Sequence, residues 1–323
     1  NVGLSLRATG WIGIVLLLGL VTYPDGSGFK MSRFDIIIAV LAEVSVFGSL
    51  IWLFTRKNWM LRLGIMALVV AIRLSHNSGE GFVKDLAMLQ PSGWVVNVHF
   101  LKYLLIVLPG TIAGDIILKM MKTDSQVIID TFNEYKVNAA FLAVFMVGFI
   151  VLSLVTLYNR WVWQGFVGGI ALCAASWVLL KDMKGGYYDI LKEVFKWGVF
   201  WFILGFMLEP FEGGIKKDHS TISYYFLTSG LALFFIIFAS IVIDFFRKKS
   251  YLGLLIDSGQ NPMIAYAGGG NIITPIIGIF GIQTLMNAWF TTPFLGFLRG
   301  FLFTLALAYI VKLFTKYKIF WRS

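Results

Sequence analysis

The 323-residue chain is 58% hydrophobic and 14% charged, with a mean hydropathy of +0.81. Soluble domains carry about 25% charged residues, so a water-soluble globular fold is excluded. The net charge of +10 would suit nucleic acid in a soluble protein; in a chain this apolar, the basic residues read as anchors beside anionic lipid, and no nucleic-acid partner is expected.

Continuous apolar runs predict ten spanning helices, over roughly 8–24, 33–55, 59–75, 101–120, 137–157, 161–182, 191–208, 221–246, 262–285 and 293–315. The runs do not alternate, so helices rather than a barrel must satisfy the backbone in lipid. The expected fold is all-α, a polytopic membrane helix bundle forming one transmembrane domain over 1–323. Of the 27 Lys and Arg residues, eighteen fall on one side of these spans and nine on the other. The positive-inside bias puts the richer side, and with it both termini, in the cytosol. The single cysteine, Cys173, lies in an apolar run, so no disulfide forms within one chain.

The stretch 100–122, FLKYLLIVLPGTIAGDIILKMMK, carries Pro109 and Gly110 at its middle and Asp115 inside it. Proline bends a helix, and an intramembrane carboxylate is costly unless it faces protein or water. Two readings are open: a kinked packing helix with Asp115 near the cytosolic interface, or a helix lining a polar cavity. The outer loop 76–99 and the inner segment 123–136 are longer than packing requires, and the inner one reads as a short interfacial helix.

Other charges at membrane depth are Glu43, mid-span, and Arg73 and Arg299 in the outer parts of theirs. Each needs a partner or a route to water. A Glu43–arginine ion pair, arginines snorkelling to the headgroups, and a polar cavity for an anionic or hydroxyl-bearing substrate are the alternatives. His76, three residues from Arg73, belongs to the same outer region; it is a candidate for substrate contact and, less readily than for simple solvation, for general-base work. His99 is similar. His219 precedes a helix for which Asp218 or Ser220 is the expected cap.

Asn261-Pro262 reads as a helix start, with Asn as cap and Pro in the first position. Its free N–H groups could hold an anion, with Arg247, Lys248 and Lys249 supporting a phosphate group or serving only as topology anchors. Gly268, Gly269, Gly270 and Pro275 interrupt the same span, through close packing or because backbone lines a cavity. The scattered histidines have no metal-ligand spacing, so no metal site is expected. Phosphate-loop and nucleophile-elbow patterns are likewise missing from the chain.

Three blocks in order, KYLLIVLPGTIAGD at 102–115, GGIKKDHSTISYYFLTSGLA at 213–232 and SGQNPMIAYAGGG at 258–270, carry a family resemblance. The chain resembles bacterial membrane proteins grouped as domain of unknown function 5009, relatives of the heparan-alpha-glucosaminide N-acetyltransferase family. The resemblance implies an acyl donor, acetyl-CoA, reaching the site from the cytosol, and an envelope glycan accepting the acyl group outside. It also implies a bacterial cytoplasmic membrane location and a homodimer. The family's catalytic histidine lies upstream of the matched region, with two further helices, and has no counterpart in this chain. The expected function is thus membrane acyltransferase-like, with Asn261, Arg247 and Lys248 on the donor side and Glu43, Arg73, Arg299 and His76 toward substrate. A transporter or flippase for a small or lipid-linked solute is the alternative, supported by the interrupted helix and the intramembrane charges. A non-catalytic membrane subunit is the third.

Overall fold

A computed structural model describes residues 2–29, 36–78, 98–121, 134–246 and 252–321. Every regular element among the described residues is helical. The chain divides into two compact units, Asn1–Asp244 and Phe245–Ser323.

The first unit holds α1 (Val2–Leu20), α2 (Ile36–Thr55), α3 (Trp59–Ser78), a 3-10 turn (Val98–Tyr103) running into α4 (Leu104–Met121), α5 (Lys136–Tyr158), α6 (Val162–Lys181), α7 (Gly186–Glu212) and α8 (Ile222–Phe246). The second holds α9 (Gly253–Gln260), α10 (Pro262–Gly268), a π-helical turn (Gly269–Ile273), α11 (Thr274–Ile279), α12 (Ile282–Trp289) and α13 (Pro293–Lys316). Helix occupies most of the described part of each of the ten expected spans, and among the described residues nine helices are long and apolar enough to cross a membrane. The chain is therefore an integral membrane protein. The helix outside that set is α3: Arg62, Arg73 and the polar end Ser75-His76-Asn77-Ser78 lower its hydropathy, yet it packs on α2 and α4.

Several boundaries differ from expectation for local reasons. The first span ends at Leu20, not residue 24, because Pro24 cannot donate to a helix and restricts Tyr23 before it. The chain turns there instead, with the Asp25 carboxylate accepting from the Ser27 N–H at 3.1 Å and its hydroxyl at 2.7 Å. The seventh span is longer than expected, Gly186–Glu212, and keeps Pro210 inside its last turn. The helix that follows is capped by neither Asp218 nor Ser220. Thr221 Oγ1 accepts from the Tyr224 N–H, and the Glu212 carboxylate takes the Ile222 and Ser223 N–H groups at 2.7 Å each. Those are free donors of the first turn, and a carboxylate there also meets the positive dipole end. The inner segment expected as an interfacial helix lies largely outside the described residues.

The core of the first unit lies on α4, α5, α7 and α8, where Leu105, Leu108, Leu142, Met146, Phe149, Phe202 and Phe234 are all fully buried. Lipid tails are as apolar as these side chains, so helices associate through close contact rather than exclusion from water. Helices α7 and α8 approach backbone to backbone. A Cβ at Gly205 would lie 2.6 Å from the Leu227 amide nitrogen, and one at Gly230 would lie 2.7 Å from that of Phe202. Only glycine allows backbones this near. Around that contact Phe149 stacks on Phe234 at 4.1 Å between centroids, and Trp201 stacks on Phe226 at 5.3 Å.

In the second unit α9 and α10 pack against α13. The expected interruption is the π turn: the Thr274 hydroxyl donates to the Gly269 carbonyl at 2.9 Å. Gly268, just before the turn, lets α13 approach, since a Cβ there would lie 2.9 Å from Leu307 Cδ1. Close packing thus accompanies the break.

Candidate functional site

The polar network of the first unit gathers where the last turn of α2, the first turn of α3 and the last turns of α4 meet. Asn58 begins α3: its Oδ1 accepts from the Leu61 N–H at 3.1 Å, a helix cap that fixes the direction of the first turn. Arg62, one residue later, turns into the bundle and is 1% exposed. A charge so buried must be matched by charge and hydrogen bonds. Arg62 Nη1 donates to Asp115 Oδ2 at 2.9 Å and to Thr111 Oγ1 at 3.1 Å; Nε donates to Thr55 Oγ1 at 3.2 Å and Nη2 to the Thr55 carbonyl at 3.5 Å. The other carboxylate oxygen, Asp115 Oδ1, accepts from Trp52 Nε1 at 2.8 Å. Helices α2, α3 and α4 are therefore tied at one end by a single arginine–aspartate pair.

Asp115 remains 31% exposed, and it faces two spaces. One is a cavity of about 330 Å³ lined by Arg56, Lys57, Trp59, Arg62, Ile112, Asp115, Ile116, Lys119, Glu193 and Trp197. Lys119 Nζ bridges both Glu193 oxygens at 3.1 and 3.2 Å, and Trp59 meets Trp197 edge-on at 5.5 Å. With Asp115 matched by Arg62 and Glu193 by Lys119, the exposed Arg56 and Lys57 are left without an ion pair among the described residues. The cavity therefore carries surplus positive charge beside an edge-on pair of indoles, at the end that the basic bias assigns to the cytosol. The other space is a groove of about 510 Å³ along α2 and α4, lined by Val44, Ser45, Gly48, Ser49, Trp52, Val107, Thr111, Gly114, Asp115, Ile117 and Leu118. Asp115 thus ties the packed helices together and also lines the cavity.

The chemistry of this arrangement suits holding an anion more than moving a proton. Both oxygens of Asp115 are held by donors, and Arg62 spends its fork on Thr55, Thr111 and Asp115. Free positive charge comes from Arg56 and Lys57, and the tryptophans offer flat faces to a ring or alkyl chain.

The residues singled out from sequence each have surroundings of their own. Glu43 is buried midway along α2. Arg73 reaches the Ser220 carbonyl at 3.5 Å, at the opposite end of the first unit, where Ser220 Oγ and Tyr225 OH share a 2.5 Å hydrogen bond. Arg299 belongs to the second unit and donates to Asn287 Oδ1 at 2.8 Å. Arg247 and Lys248 lie outside the described residues, as do the side chains of His76 and His99. Asn261 is fully buried and makes no side-chain cap; its Nδ2 donates to the Ile319 carbonyl at 2.8 Å, and its Oδ1 accepts from the Trp321 N–H at 3.1 Å. Both halves of that amide are committed to the chain's own C-terminal segment rather than offered to an anion. A further ion pair the sequence reading passed over joins Arg160 to Glu209 at 2.7 Å, the carboxylate 2% exposed. Among the described residues no group of His, Cys, Asp and Glu could hold a metal.

Neither a curated protein nor a solved structure matches the chain. Residues 2–117 match the family model described as Domain of unknown function (DUF5009), a stretch that contains Trp52, Thr55, Arg62, Thr111 and Asp115 and so the whole network that ties α2, α3 and α4.

Proposed function

We propose that the chain is an acyltransferase-like protein of the bacterial cytoplasmic membrane. It takes an acyl group from cytosolic acyl-CoA and passes it to a sugar of the cell envelope. The observation that carries this reading is the cavity bounded by Arg56, Lys57, Arg62 and Lys119 with Trp59 and Trp197. Its size falls within the range of about 300–1,000 Å³ typical of small-molecule sites. Its surplus positive charge suits the phosphates of coenzyme A, and its aromatic walls suit the pantetheine chain beyond them. The resemblance to acetyltransferases supports the same donor and supplies the acceptor class. In the reaction an acceptor amine or hydroxyl attacks the thioester carbonyl. The new C–N or C–O bond forms, the C–S bond breaks, and the acceptor's proton ends on the coenzyme A thiol.

The test is coenzyme A affinity of the purified, folded protein at two ionic strengths. Arg56→Gln and Lys57→Gln each remove one exposed contact worth up to about 1 kcal/mol, roughly fivefold in affinity, and the loss shrinks at high salt. Asn261→Ala leaves the affinity unchanged. No coenzyme A binding by a folded sample would remove the donor site and move the transporter reading to first place.

A further inference from the structure

Helices α6 and α7 border a groove of about 440 Å³ whose walls include Ile170, Cys173, Ala174, Trp177, Lys196 and Val199. Both helices are long and apolar enough to span a membrane. Lys196 lies about 15 Å inside the α7 start at Gly186, and Trp177 about 6 Å inside the α6 end at Lys181. The backbone of Lys196 therefore sits at hydrocarbon depth, where a bare ammonium is costly. Side chains on a helix lean toward its N-terminus, which for α7 is the nearer headgroup level. Lys196 follows that lean: its Nζ stands over the Trp177 ring, 5.6 Å from the centroid. The acids closest to it along α7 are already matched, Glu193 by Lys119 at 3.1 Å and Asp189 by Lys192 at 3.3 Å. Among the described residues Lys196 therefore has no ion pair, and it is exposed.

We infer that this groove binds an anionic phospholipid of the leaflet that the basic bias assigns to the cytosol, with the lipid phosphate on Lys196 and one acyl chain along Ile170, Cys173, Ala174 and Val199. The groove has the polarity of that molecule. Its one cation is raised toward the headgroups, while Ile170, Cys173 and Ala174 lie deeper than Trp177 on α6, and Val199 lies deeper than Lys196 on α7. An exposed groove on two spanning helices meets lipid, and the charge chooses among lipids. A zwitterionic headgroup brings its own cation beside Lys196; an anionic one leaves the attraction whole. This site shares no lining residue with the basic cavity and does not depend on the coenzyme A reading.

The experiment places the purified protein in nanodiscs of equal parts phosphatidylglycerol and phosphatidylcholine, with brominated chains on one lipid or the other. Bromine quenches nearby indoles, and the difference between wild type and Trp177→Phe isolates Trp177. Phosphatidylglycerol is expected to occupy the groove roughly fivefold more often than phosphatidylcholine, the equivalent of about 1 kcal/mol for one basic residue near the membrane surface. Lys196→Gln should abolish the preference and Lys196→Arg should keep it. Lys181→Gln, at the same end of α6 but outside the groove lining, should leave it unchanged. Equal quenching by the two lipids in the wild type would overturn the inference. So would an equal loss in Lys181→Gln and Lys196→Gln, which would assign the preference to diffuse surface charge. Quenching by neither lipid would mean that protein, such as a second copy of the chain, covers the groove. Displacement of the brominated phosphatidylglycerol by inorganic phosphate or coenzyme A would make it a site for a soluble anion; both outcomes overturn the inference. If Trp177→Phe does not fold, native mass spectrometry decides: wild type should retain one more phosphatidylglycerol than Lys196→Gln, and equal counts would overturn the site.

Discussion

Breaking the Arg62–Asp115 pair from either side should cost different amounts, and the two costs should not add. Asp115→Leu leaves the Arg62 guanidinium, 1% exposed, without its counter-charge. Breaking a buried pair costs about 3–5 kcal/mol. The lower end applies, because Asp115 is 31% exposed and because Thr55 and Thr111 still accept from Arg62. Arg62→Met leaves a carboxylate that keeps its Trp52 bond at 2.8 Å and reaches water, so about 1–2 kcal/mol is expected. The double variant strands no charge, and replacing a buried pair by apolar groups is often neutral. It should cost no more than Asp115→Leu alone. The coupling is then about 1–2 kcal/mol, inside the range for residues in direct contact. Equilibrium unfolding in mixed detergent micelles, read by tryptophan fluorescence, measures all four corners of the cycle. Single costs that add to the double within about 0.5 kcal/mol would refute the reasoning, since that is how independent sites behave.

The second ion pair should show the opposite asymmetry. Arg160 is 58% exposed and Glu209 2%, so Arg160→Ala strands a buried carboxylate and should cost about 2–3 kcal/mol, whereas Glu209→Gln should cost under about 1 kcal/mol in the same titration. Gly205→Ala should destabilise by about 1–3 kcal/mol, because its Cβ meets Leu227 backbone, while Gly110→Ala, whose Cβ meets nothing, should be neutral or gain up to about 1 kcal/mol of helix propensity. On a Cys173→Ala background, Lys57→Cys should react with a membrane-impermeant maleimide only after permeabilisation, and Lys217→Cys already in intact cells. The reverse pattern would invert the orientation and put the basic cavity outside.

The helices were legible because each carries its own apolar run, a property of one segment read alone. The site was legible only in part, because a charge shows its cost locally but its partner lies elsewhere. Asp115 stood out inside an apolar stretch, which correctly marked a group in need of compensation. Arg62 did not, because the side bias counts basic residues by loop. It cannot tell an arginine that lies on the headgroups from one that turns back into the bundle 53 residues from its partner. The depth count held a usable clue. At 1.5 Å per residue, Asp115 sits about 9 Å inside the α4 end at Met121, and Arg62 about 5 Å inside the α3 start at Trp59, close enough in depth for a long side chain to span. Arg73, farther along α3, does not match that depth. Asn261 failed in the opposite way. Asn-Pro is a strong local cap signal, yet the side chain serves backbone groups 58 and 60 residues away, on a segment that local pattern cannot bring near. A buried polar group is satisfied by whatever the fold delivers, so matching charges by depth along antiparallel helices is the step that turns an isolated cost into a testable pair.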